Sequence, residues 1–288
     1  MQTIKIKSLC RAATQRWRSE GEIIAFVPTM GNLHDGHLKL IDVARQHASK
    51  VIVSIFVNPT QFGIGEDIDS YPRTFDRDCN LLAECEVDLL FAPSTEEIYN
   101  NGEVLTRVEV PGLSNILCGE FRPTHFVGVT TIVAKLFNIV QPDIAVFGEK
   151  DFQQLFLIRK MVNDLDFPIK VLNVPTVRES DGLAMSSRNS YLDASQRQQA
   201  AYLHQCLVSV VDKIITGERD FKSLEENAVK MLENKGFLPD YVSIRRVSDL
   251  QPASQEDKEL VVLSAVKLAG TRLIDNMTIE LSGTIKTY

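Results

Sequence analysis

The chain has 288 residues and a mass of 32.3 kDa, with 44% apolar and 24% charged residues. That length suits one large domain or two ordinary ones, and the composition excludes a chain that is disordered as a whole. With 31 basic against 38 acidic residues the net charge is −7, which excludes a general positive field for holding nucleic acid or anionic lipid, so any bound anion needs a local device.

Residues 1–9 alternate lysine with apolar residues and hold no continuous apolar run, so no signal peptide is expected. Residues 23–27 (IIAFV) read as a buried strand, and Leu38, Ile41, Ala44 and Ala48 recur after it at helical spacing. Residues 51–57 (VIVSIFV) are almost continuously apolar and β-branched, as a strand covered on both faces should be. They fall far short of the ~20 apolar residues that span a bilayer. A helix is expected over 74–84, a strand at 88–91, a helix over 126–139, a strand at 144–147, a helix over 152–163 and a strand at 169–174. Alternation of this kind predicts an α/β fold with a parallel sheet wrapped by helices, whose ligands bind beyond the C-terminal ends of the strands.

The pattern changes after residue 174. Residues 176–191 are polar and rich in Ser, Arg and Asn, which predicts a loop. Asp193 is placed to cap a long helix to about residue 215, and a second helix is expected over 221–233. β-like runs follow at 241–246, 259–268 and 277–281. Together these predict two domains, residues 1–178 and a smaller α+β domain at 179–288. The five cysteines are odd in number, scattered and without a CxxC pair, which favours reduced thiols in a cytoplasm over disulfides or a zinc site.

Four segments carry chemistry. Residues 28–37 (PTMGNLHDGH) join the first long strand to its helix. Gly31 and Gly36 permit a tight turn, and a helix start near His37 would turn free N–H groups towards a phosphate. His34 and His37 could supply hydrogen bonds to a phosphoryl group. A metal pair or two surface histidines is the other reading, although the nearest third ligand, His47, lies well down the helix. Residues 58–63 follow the second strand, where Asn58 and Gln61 suit hydroxyls and a carboxylate; an ordinary Asn-Pro turn also accounts for Asn58 and Pro59.

The third segment, residues 147–154, repeats the strand–glycine–helix arrangement. Lys150 can neutralise phosphate, Asp151 can cap the helix or meet a ribose hydroxyl, and Gln154 can point back to the crevice; a capped helix with a solvated Glu149–Lys150–Asp151 run is the alternative. The fourth is Met185, Ser186, Ser187, Arg188 and Asn189, a triphosphate clamp if the loop folds over the crevice and a solvated linker if it does not. Its neighbours Glu179 to Gly182 add a turn and a hinge.

Taken together, PTMGNLHDGH, FVNPTQF, GEKDFQQL and DGLAMSSRN, in that order, closely resemble the pantothenate synthetase (pantoate–β-alanine ligase) family. The connecting text Tyr71-Pro72-Arg73-Thr74, His125-Phe126 and Lys135-Leu136-Phe137-Asn138 agrees. The resemblance is specific from about residue 23 to 192 and looser to Leu273-Ile274-Asp275-Asn276. Residues 34–37 resemble the HxGH signature of the nucleotidylyltransferase superfamily, and residues 185–188 its mobile triphosphate motif. Thr124 stands where the family commonly has glycine, and Val127 where it often has a polar or charged residue.

The resemblance implies a Rossmann-like N-terminal domain with a smaller α+β lid, commonly in a homodimer. It implies an AMP-forming ligase that joins D-pantoate to β-alanine using ATP and magnesium, through pantoyl adenylate. By matching motif positions, Met30, Gly31, Asn32, Leu33, His34, Asp35, Gly36 and His37 would line the ATP site. Gly148, Glu149, Lys150, Asp151 and Val177 would join them, the last against the adenine. Met185, Ser186, Ser187 and Arg188 would close on the triphosphate, and Gln61 and Gln154 would hold pantoate. His37, His34, Lys150, Ser186 and Arg188 would act in the chemistry. No metal ligand is assigned, and no nucleic-acid or membrane partner is expected. Another HxGH nucleotidylyltransferase would need a basic acceptor site, a class I aminoacyl-tRNA synthetase an RNA-binding surface, and an inactive nucleotide sensor would bind ATP without turnover.

Overall fold

The computed structural model describes residues 1–63, 65–100, 102 and 105–281. In chain order it contains β1 (Gln2–Ile4), α1 (Lys7–Ser19), β2 (Ile24–Thr29), α2 (Asp35–His47), β3 (Lys50–Ile55), α3 (Phe75–Glu84), β4 (Leu89–Phe91), α4 (Thr95–Tyr99), α5 (Cys118–Phe121), α6 (His125–Val140), β5 (Ile144–Gly148), α7 (Phe152–Asp164) and β6 (Lys170–Val174). There follow α8 (Ala194–Ala200), α9 (Tyr202–Ile215), α10 (Phe221–Glu233), β7 (Leu238–Arg246), β8 (Glu259–Leu268) and β9 (Thr271–Glu280). Cα packing divides the chain into two units, Met1–Glu149 with Gln153–Val174, and Lys150–Phe152 with Pro175–Tyr288.

The first unit is built on a six-stranded sheet in the order β1-β4-β3-β2-β5-β6, parallel at every pairing. Strand residues alternate between its faces, as the pleat requires. Ile24, Phe26, Ile52, Leu89, Phe91, Ala145 and Phe147 enter one core with Val129 and Phe137 of α6 and Ile158 of α7. Ala25, Val27, Val51, Val53, Leu90 and Val146 enter the other with Ile41 and Ala44 of α2 and Leu82 of α3. Both faces are covered, which explains why the strand at residues 51–57 is apolar at nearly every position.

The second unit is an antiparallel sheet, β7-β8-β9, with α9 and α10 packed against it. Val242, Ile244, Leu260, Val262 and Val266 meet Leu203, Leu207, Val210, Leu224 and Leu232 in one core. The fold is therefore a Rossmann-like α/β unit plus a small α+β unit. No helix among the described residues is long and apolar enough to cross a membrane.

Several elements differ from the sequence expectation. β1 and α1 are not among the expected elements: α1 carries Cys10, Ala13, Thr14 and Trp17 at helical spacing, but most of its other residues are polar. The helix expected from Asp193 to residue 215 is two helices, jointed at Ala201, whose φ of −59° and ψ of −22° still lie in the helical region. The loop expected at 176–191 contains an Arg178–Ala184 bridge and a 3-10 helix at Ser187–Tyr191.

Candidate active site

In the first unit the chain crosses over in opposite directions on the two sides of the β2–β5 pair. That reversal opens a crevice at the strands' C-terminal ends, the usual ligand position in such sheets. The turn after β2 lies there. Gly31 has φ +82°, which favours glycine, and a Cβ on it would sit tightly against Ile55 Cγ2 at 3.1 Å and Asp78 Oδ2 at 3.2 Å. Asp78, 1% exposed on α3, accepts from Asn32 N at 2.8 Å and Leu33 N at 2.9 Å. Thr74 Oγ1 donates to the same carboxylate at 3.1 Å, and Thr29 Oγ1 accepts from Gly31 N at 3.2 Å.

α2 begins at Asp35, two residues before the expected start, with His34 as its extended N-cap. His34 Nδ1 accepts from Gly36 N at 3.2 Å, and His37 Nδ1 accepts from His34 N at 3.3 Å. The N–H groups of His37 and Leu38 both go to His34 O. This corrects the expectation of free backbone donors: the imidazoles and Asp78 already occupy most of the turn's N–H groups. The same bonds assign the tautomers. With Nδ1 accepting, each neutral ring carries its proton on Nε2, and the two rings lie 4.1 Å apart. Of the two kinds of donor expected in this turn, the backbone N–H groups are mostly taken, while each imidazole turns its Nε2 side away from these backbone bonds. His47, the distant third-ligand candidate, is exposed at the far end of α2 with Nδ1 2.9 Å from Val43 O.

After β3, a 3-10 turn at Pro59–Gln61 carries Gln61. Asn58, 1% exposed, donates from Nδ2 to Gln61 Oε1 and Gly128 O, both at 3.2 Å, and accepts at Oδ1 from Thr60 and Tyr99. Asn58 is thus more than a turn former. It orients the Gln61 amide, which also donates to Met30 Sδ. In α7 the two neighbouring glutamines separate by role. Gln153 is buried and holds Cys118 N, Leu113 O and Ile116 O. Gln154 is half-buried and has no hydrogen-bond partner among the described residues, so its amide is available to a ligand. Gly148 ends β5, and Glu149 accepts from Asn173 Nδ2. Leu33 is 1% exposed and packed in the core, so only its main chain can face a nucleotide.

In the second unit, Lys150 Nζ lies 4.0 Å from Asp151 Oδ2, and Lys150 O accepts from Asn276 Nδ2 at 2.9 Å. Residues 177–185 form a small hairpin in which Met185 N donates to Val177 O at 3.0 Å. Arg178 donates to both oxygens of Asp275, at 2.7 and 3.0 Å, and to Gly182 O at 3.0 Å. Burial pushes the Asp275 carboxyl up, but His204 at 3.6 Å and the Arg178 guanidinium outweigh it and hold the group below the usual carboxylate range. Ser186 caps the 3-10 helix by accepting from Arg188 N at 3.2 Å, which sets Ser187 and Arg188 on one short turn. Asn189 Nδ2 ties that turn to Glu179 Oε1 at 3.1 Å, and Arg197 pairs with Glu179 and Asp181.

A family profile described as Pantoate-beta-alanine ligase matches residues 2–278. The chain belongs to the pantoate–β-alanine ligase family. It is 53% identical over 282 residues to a pantothenate synthetase of Pseudomonas fluorescens (strain Pf0-1), covering 98% of this chain and 99% of that one. Against the pantothenate synthetase of Methylococcus capsulatus it is 51% identical over 285 residues, covering 99% and 100%. Among solved structures, a pantothenate synthetase of Thermus thermophilus superposes with TM-score 0.90 at 45% identity, covering 96% of this chain and 99% of that one. A pantoate–β-alanine ligase from Francisella tularensis, complexed with βγ ATP and β-alanine, has TM-score 0.82 at 34% identity, covering 96% and 97%.

Membership makes the chain an enzyme of the ligase class, and the named motifs all fall within the matched residues. Sequence reasoning passed over Asp78. Asp78 is one of several acids on an amphipathic helix, and nothing in its spacing reveals that it turns inward. Thr124, the departure from glycine, sits at φ +70° as N-cap of α6, the left-handed region that explains why glycine is usual there. No group of three or more His, Cys, Asp or Glu able to hold a metal ion occurs among the described residues.

Proposed function

We propose that the chain condenses D-pantoate with β-alanine using ATP, giving pantothenate, AMP and diphosphate through pantoyl adenylate. Carboxylates do not react with amines at neutral pH, so the acid must first acquire a leaving group. A pantoate carboxylate oxygen attacks the α-phosphorus, and the bond to diphosphate breaks. The β-alanine amine then attacks the acyl carbon, AMP departs and the amine loses a proton.

The observation that carries this reading is the His34–His37 pair. Two Nε2–H donors, fixed by backbone bonds to both Nδ1 atoms at a sheet switch point, suit the charge that grows on a phosphoryl group in transfer. Lys150, Ser186, Ser187 and Arg188 hold the triphosphate, and Met30 to Gly36, Gly148, Glu149, Asp151, Val177 and Met185 line the rest of the nucleotide site. Gln61 and Gln154 hold pantoate. The Francisella relative, complexed with βγ ATP and β-alanine, supports both as substrates here. Magnesium enters on the phosphates of ATP, as that ion commonly does, and so counts with the substrate. Residues 179–288 act as the lid, and the protein works as a homodimer in the cytoplasm, where its five free thiols stay reduced.

With pantoate, ATP and magnesium but no β-alanine, labelled diphosphate should exchange into ATP. Release of ADP, or exchange that strictly requires β-alanine, overturns the two-step course.

A further inference from the structure

Gln61 sits on a 3-10 turn of three residues, too short to hold its own direction, so other groups must hold it. One anchor is steric. A Cβ at Gly128 would come within 2.3 Å of Thr60 O and 2.8 Å of Gln61 N, so α6 packs directly on the turn's main chain. The other anchor is polar. His125 Nδ1 lies 2.7 Å from Gln61 O, and Arg122 Nη2 donates to the same oxygen at 3.2 Å. Arg122 also reaches His125 Nε2 at 3.1 Å from Nη1, and both Glu66 oxygens, at 2.7 Å from Nε and 2.5 Å from Nη2.

We infer that Arg122 and His125 are positioning residues for the acid substrate: they clamp the Gln61 carbonyl and so aim the Gln61 side chain. The proposal rests on the reading of Gln61 as a pantoate ligand. The atoms assign each part. A carbonyl only accepts, so His125 Nδ1 carries the proton; a guanidinium only donates, so His125 Nε2 offers its lone pair. The neutral Nδ1–H ring is the one form that fits both neighbours. Glu66 fixes the arginine in turn. Burial raises its carboxyl, but the hydrogen bond and charge of Arg122 hold it below the usual range. Both ends of Gln61 are then set, the carbonyl by this clamp and the amide by Asn58.

The test compares Michaelis constants for pantoate and for ATP in the wild type, Gln61→Ala, His125→Ala and His125→Asn. An asparagine Nδ2 can replace the Nδ1 donor but has nothing at Nε2. His125→Ala should raise the pantoate constant about tenfold, one hydrogen bond's worth of orientation, and leave that for ATP within about twofold. His125→Asn should recover most of the loss. If His125→Ala does not fold, Arg122→Lys, which breaks the fork but keeps the charge, should show the same selective rise. An unchanged pantoate constant in Gln61→Ala overturns the ligand reading itself. A large effect there with none in His125→Ala or Arg122→Lys overturns the clamp alone. Parallel rises for both substrates, or no rescue by asparagine, reduce His125 to a structural residue and also overturn it.

Discussion

Each unit orders its candidate phosphate segment with one buried aspartate, and the two do so by different means. Asp78 is met by two backbone N–H groups and a hydroxyl, all neutral. Asp275, equally buried, is met by a bidentate arginine with a histidine beside it, and by one backbone N–H, that of Asn276 at 2.7 Å. The first arrangement dictates main-chain shape: the carboxylate fits only if the chain turns through Gly31 and Asn32 with positive φ. The second ties a side chain at the foot of a hairpin and leaves the turn at residues 186–191 to be held by polar contacts that are only half-buried. The first fixes the course of the main chain through a turn; the second fixes one side chain and leaves the neighbouring turn to surface contacts.

The largest expected effect tests what the rigid turn is for. His37→Ala should lower adenylation by about 10²–10³, the scale for one preorganised donor, with the fold intact. Near-normal turnover in a folded variant would remove its role. Breaking the charged anchor comes next. Arg178→Met leaves Asp275 buried with one polar partner fewer, and should cost about 3 kcal/mol in urea unfolding. The pH dependence has a definite sign. A carboxylate held low in the fold contributes stability above its unfolded pKa of about 3.9, and loses it as pH falls through the lower folded value. As pH falls below about 4, the melting temperature of Asp275→Asn should therefore fall less steeply than that of the wild type; equal slopes would show that Asp275 does not titrate with folding.

The neutral anchor should be weaker. Asp78→Asn puts an amide N–H₂ against a backbone N–H, and should cost about 2 kcal/mol of stability together with a fall in turnover as the turn loosens. Stability loss without a change in turnover would separate Asp78 from the histidines. The smallest effect is a gain. Threonine in the left-handed region costs ~1–2 kcal/mol, and glycine's extra backbone entropy offsets roughly 0.5–1 of that relief, so Thr124→Gly should stabilise by about 1 kcal/mol. A lower melting temperature for that variant would show that packing of the threonine side chain outweighs the strain.

Periodicity settled a good deal before any coordinates. Strands β2, β3 and β5 are apolar on both faces because helices cover both, and a chain buried on two sides cannot hide that in its sequence. The turn after β2 was also legible, since Gly31 sits there at positive φ, where glycine is favoured. Helix α1 was not: its stripe of Cys10, Ala13, Thr14 and Trp17 has helical spacing but is set among mostly polar residues. Nor was the joint at Ala201, where the backbone stays nearly helical. What tertiary structure alone decided is which polar residues point inward. Asp76 and Asp78 lie two apart on one helix; the second is buried beneath the β2 turn because α3 packs on that face of the sheet. The same holds for the adjacent Gln153 and Gln154, one bonded within the protein and the other without a hydrogen-bond partner among the described residues. Local sequence carries the period of a helix, but not the direction from which a distant loop will arrive to use its polar atoms.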